Sequence, residues 1–205
     1  MKKNKNRKNV ILALIIFVFL AILISQHTSS FREEDRNRSV LVNQVYSRVA
    51  NISTHLDSFT YGLENETISI EDVLLELTVL SNNFARLDMI VSLHVLYFPS
   101  TGLSYRAFPS FDCVTHILVG YDGIMNTALN HIESSDMPLS ENEFLFLRDL
   151  RDDMNRLLME LSCDNDQLNV REGLTISQLN TIFDDFFYKW QLHNENSPFM
   201  LLQVD

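Results

Sequence analysis

The sequence predicts an all-α protein: an N-terminal transmembrane helix followed by an extracytoplasmic antiparallel helical bundle of about five helices. Three observations carry this prediction. Apolar residues recur in steps of three and four along several long segments, which puts one apolar stripe on each helix. Helix breakers are scarce, with five glycines and four prolines among 205 residues, so few segments are interrupted. Residues 10–24 form an unbroken apolar run behind a basic start.

The basic start comprises Lys2, Lys3, Lys5, Arg7 and Lys8, and no charged residue lies between Asn9 and Phe31. As a helix that uncharged stretch reaches about 34 Å, enough for a hydrocarbon core of about 30 Å. The basic flank is expected to stay in the cytoplasm, and Glu33, Glu34 and Asp35 to emerge. The chain then divides into a cytoplasmic basic tail (1–9), a single-pass signal-anchor (10–30) and an extracytoplasmic helical-bundle domain (31–205). The alternative is secretion after signal-peptide cleavage. Against it, the apolar run is long, and Thr28 and Ser30 around Ser29 make a mediocre cleavage site. No cysteine follows the run, which excludes a lipoprotein anchor.

Five of the sixteen basic residues belong to the N-terminal flank. From residue 26 onward eleven basic residues face 27 acidic ones, a net charge of -16. Such a surface repels phosphate backbones and anionic headgroups, so nucleic acid is excluded as a partner.

Helices are expected over 33–63, 70–97, 110–133, 140–163 and 175–194. In the first, Val42, Val45, Val49, Ile52, Leu56, Phe59 and Leu63 form a seam, and the helix is expected to continue directly from the membrane segment. Ile70, Val73, Leu77, Leu80, Phe84, Leu87 and Val91 repeat the rhythm in the second. The third carries Val114, Leu118, Tyr121, Met125, Ala128 and Ile132; the fourth Leu147, Leu150, Met154, Leu157 and Leu161; the fifth Ile176, Leu179, Phe183, Phe186 and Trp190. Ser140 with Glu143 and Thr175 with Gln178 are capping boxes, and Ser69 with Asp72 is a weaker one. Pro99, Pro138 and Gly173 fall between segments, where breakers belong. Residues 89–98 are rich in strand formers, with 103–108 as a possible partner, and the glycines of 120–123 threaten the third helix. Helix is expected at both places. Short connections between the seams imply up-and-down antiparallel packing.

Cys113, at the start of the third helix, and Cys163, at the end of the fourth, lie 24 and 26 residues from a connection centred near residue 137. In an antiparallel hairpin those ends adjoin, and an oxidising compartment would join them in a disulfide. Of the six histidines only His116 stands four residues from a carboxylate, Asp112. Two more ligands would be needed for zinc, so no metal and no cofactor are expected. Arg148, Asp149, Arg151, Asp152, Asp153, Arg156 and Glu160 fit a solvated face with ion pairs Arg148–Asp152, Asp152–Arg156 and Arg156–Glu160. Asn37, Asn51 and Asn65 each begin a glycosylation pattern, in numbers close to chance.

Tyr97, Phe98, Tyr105, Phe108 and Phe111 crowd around Pro99, Gly102 and Pro109. They are either the closure of one end of the core or an exposed anchor for another protein, since aromatics dominate binding hot spots. No phosphate loop, nucleophile elbow or catalytic metal motif is present. The expectation is therefore a non-catalytic, membrane-anchored interaction protein that binds another envelope protein or itself. The alternative is a sensing or regulatory domain with a small molecule in the bundle interior.

Overall fold

The computed structural model describes residues 2–97, 109–130, 139–163, 166–171, 173–190 and 198–203, with side chains for all of these except 2–15, 30–31, 34, 95–97, 109–110, 166–168, 201 and 203. The architecture is predominantly helical, as expected. Its elements are α1 (Lys2–Glu64), α2 (Ile70–Tyr97), α3 (Pro109–Val119), α4 (Ile124–Asn130), α5 (Glu141–Leu161), β1 (Ser162–Cys163), β2 (Asp166–Val170), α6 (Ile176–Lys189) and a 3-10 helix (Pro198–Gln203). The chain divides into two units, Met1–Val40 and Leu41–Asp205.

In the first unit, α1 is helical from residue 2, and the side chains from Ile16 to Ile24 are all exposed. No helix among the described residues is long and apolar enough to cross a membrane. The expected transmembrane segment falls partly outside that description, because the side chains of residues 10–15 are not among the described ones.

The second unit holds the core. Every residue of the first seam, from Val42 to Leu63, is buried, as is every residue of the second from Val73 to Val91. Two side-chain contacts fix how α1 meets α2: Arg48 donates to the Asn83 side-chain oxygen at 3.4 Å, and His55 Nδ1 lies 3.0 Å from Glu76 Oε2. As the residue number rises by seven on α1 it falls by seven on α2, so the pair is antiparallel. The reversal is a tight turn in which Glu66 takes a left-handed φ of 51° and the Thr67 amide donates to Gly62 O at 3.0 Å. Gly62 is placed where a Cβ would lie 3.2 Å from Ile68 Cβ, so the chain folds back closely over it.

On its other side α1 meets α5. Arg151 donates to Thr60 Oγ1 at 3.2 Å, Asn155 donates to Asp57 Oδ1 at 2.9 Å, and Ser53 bonds to the Asn155 side chain. Numbers again run in opposite directions. Both strong capping boxes form as expected: Ser140 Oγ accepts from the Glu143 amide at the start of α5, and Thr175 Oγ1 from the Gln178 amide at the start of α6. Each such cap is worth about 1 kcal/mol.

Three expectations are corrected. The third helix is not continuous: it breaks at residues 120–123 into α3 and α4. A Cβ on Gly120 would lie 2.3 Å from His116 O, and one on Gly123 2.5 Å from Ile117 O, so the chain turns where only glycine fits. Tyr121, expected in the seam, is 90% exposed in that turn. The fourth helix ends at Leu161, and Ser162 and Cys163 pair instead with β2 in a two-stranded antiparallel hairpin. Residues 89–97 are helical, continuing α2; the possible strand partner at 103–108 lies outside the described residues.

The disulfide is the third correction. Cys113 and Cys163 are free thiols. The pairing required one unbroken third helix alongside the fourth. The glycine turn ends α3 after eleven residues, and α3 packs on α2 and α6 through Phe111, which lies 6.1 Å from Phe84 and 5.7 Å from Phe186 between ring centroids. Cys163 is held at the hairpin, with Sγ 3.3 Å from Val170 O.

Candidate functional site

The expected partner-binding residues divide sharply. Phe111 is fully buried and sits among four other rings: Phe84 on α2, and Phe183, Phe186 and Phe187 on α6. It is a core residue, and its place in an exposed contact surface is withdrawn. Burial there follows from spacing, since Phe111, Val114 and Leu118 share one face of α3. Phe98, Tyr105 and Phe108, and the Tyr97 side chain, lie outside the described residues.

Between α2 and α3 stands a group of titratable side chains. Asp88 is half-buried, and its Oδ1 has no hydrogen-bond partner. Burial, and then the charge of Asp112, raises the Asp88 carboxyl above its ordinary value of 3.8, while a hydrogen bond from Ser92 offsets part of the rise. The Cys113 thiol is pushed up by burial and by the same Asp112 charge. A raised thiol is a weak nucleophile. No group of three or more His, Cys, Asp or Glu residues able to hold a metal occurs among the described residues. Asp112 and His116 are both exposed on α3.

The buried carboxylate that sequence reasoning misplaced is Asp153. The charge pattern places it on the solvated face of the fourth helix, yet it is only 4% exposed. Trp190 Nε1 donates to its Oδ2 at 2.9 Å, Lys189 Nζ approaches the same oxygen at 2.6 Å, and Arg156 lies 3.3 Å from Oδ1. The signal was present: Asp153 falls three residues after Leu150 and four before Leu157, inside the apolar stripe of α5. The junction encloses a cavity of about 10 Å³ lined by Asp153, Leu157, Ile182 and Phe186 among others, at the lower limit for a single water. Three donors converge on the two oxygens of Asp153 and tie α5 to the end of α6.

The ion pairs of α5 also differ from expectation. Arg151 pairs with Asp152 and with Glu64 of α1, and Arg156 with Asp153. Burial works to lower the Arg151 pKa; the hydrogen bond and charge of Asp152, with the charges of Glu64 and Asp57, outweigh it and raise the value.

Comparison with known protein families, curated proteins and solved structures finds no match.

Proposed function

We propose that this chain is a single-pass, membrane-anchored protein whose helical bundle stands outside the cytoplasm and binds another envelope protein or a second copy of itself, without catalysis. The observation that carries the anchor is the exposure of Ile16, Phe17, Val18, Phe19, Leu20, Ile22, Leu23 and Ile24, each between 48% and 72%. These positions cover the helix on all sides. A helix that is apolar all round is covered either by protein or by hydrocarbon, and the basic flank before it orients the span with the N-terminus inside.

The contact site proposed for a partner is the aromatic segment 97–108, without Phe111. Phe98 and Phe108 each precede a proline, which biases them toward extended backbone and away from a helical seam. Phe111, three residues beyond the segment, is buried in the core. Replacing both phenylalanines (Phe98→Ala with Phe108→Ala) is expected to abolish partner capture by crosslinking in native membranes, with stability changed by about 1 kcal/mol or less. Loss of several kcal/mol, as for buried rings, would make the segment a cap of the core and remove it as a binding site.

A further inference from the structure

We infer that the outward faces of α1 and α2 together form a surface on which two copies of this chain pair. The inference rests on the anchored-interaction reading above and names the partner. On α1 the residues opposite the buried seam, Gln44, Ser47, Asn51, Thr54, Ser58 and Tyr61, keep the same alternating steps of three and four, and all are exposed. On α2 the corresponding stripe is Leu75, Thr78, Asn82, Ala85 and Met89, also exposed throughout. Because the two helices are antiparallel neighbours, the stripes lie side by side.

Charge is what sets this face apart. From residue 26 onward the chain carries a net charge of -16, yet the α1 stripe carries no charge, and on the α2 side the exposed Glu71, one turn before Leu75, is balanced by Arg86. The acidic, basic and histidine side chains of α1 between 41 and 64 pair with neighbouring helices: Arg48 with Asn83, His55 with Glu76, Asp57 with Asn155 and Glu64 with Arg151. By contrast, the outer surfaces of α5 and α6 expose Arg148, Asp152, Arg156, Asp184 and Asp185. A cationic partner would select the acidic side. Two copies of an acidic chain meet without like-charge repulsion on the neutral one.

Size and register agree with that occupant. The α1 stripe is about 26 Å long, the α2 stripe about 21 Å, and the two helices together about 20 Å wide. That gives a footprint of about 500 Å² per copy and about 1,000 Å² for the pair, at the low end for a specific interface. A two-fold axis parallel to the helices sets α1 of one copy against α2 of the other, an isologous contact. The α1–α2 register puts Arg86 at the level of Gln44, so the one cation on the face meets a neutral amide across the axis. Leu75 and Met89, 59% and 52% exposed, supply the apolar contact. Tethering in one membrane raises the effective concentration of such a weakly apolar pair.

The full chain in detergent micelles is the material for the test. Sedimentation equilibrium is expected to show a dimer, and Ser47→Glu with Ala85→Glu to weaken it at least tenfold. Both sites are exposed, so the thermal melt of the variant should not move. In membranes, Gln44→Cys with Arg86→Cys is expected to crosslink one copy to another through the two substituted positions. A monomeric parent chain, a dimer insensitive to the two glutamates, or a crosslink to a different protein would each overturn the pairing. Protection of the bundle from protease in intact cells would overturn the anchor reading separately, since the detergent measurement does not depend on it.

Discussion

Asp88 and Asp153 are both carboxylates on helices, and their surroundings give them opposite consequences. Asp153 has three cationic or N–H donors around it, while Asp88 has an unpartnered oxygen and the like charge of Asp112 nearby. The folded state therefore holds a proton on Asp88 more tightly than the unfolded chain does. That stability is fully present below the unfolded value of 3.8 and is lost as pH rises through the raised folded value. Asp88→Asn, which does not ionise, is expected to melt above the parent at neutral pH, and the gap should shrink as the pH falls toward 3.8. Melting curves collected across that range decide it; a gap independent of pH would show that the charge is not the cause. Neither environment is local. The sequence signals that Asp153 lies in an apolar stripe, but its donors come from α6 and its neighbours on α5, and only packing brings Trp190 and Lys189 to it.

Helices with a long, regular apolar rhythm were legible because one face of each is buried along its whole length, as in α1, α2 and α5. Failures occurred where a short-range steric or pairing choice overrides periodicity. The third segment keeps its apolar spacing through residues 120–123, so the pattern predicts helix, while the glycine contacts impose a turn. Gly120→Ala tests this at the scale of the element. A Cβ 2.3 Å from a backbone oxygen forces the turn to open, so a loss of about 1–3 kcal/mol is expected in urea unfolding. A neutral or stabilising substitution would mean that the break is not enforced by that contact. The β1–β2 hairpin escapes the pattern because Ser162 and Cys163 directly follow the apolar stripe of α5, and a strand of two residues is too short to show an alternating pattern. The cysteine pairing failed for the same cause, since its register assumed an unbroken third helix.

At the scale of the whole molecule, charge divides the chain into parts. Basic residues precede the apolar run, acidic ones dominate after it, and among the described residues the outward α1–α2 face carries little charge. The first two features are written in the linear sequence. The third is not, because it depends on which charged side chains of α1 turn toward α2 and α5. The anchored topology is the claim on which the proposed role stands, and protease added to intact cells tests it most directly. Digestion of the chain from about residue 33 onward, with the N-terminal segment retained in the membrane, is the predicted result. A C-terminus that remains protected until the cells are broken would contradict it.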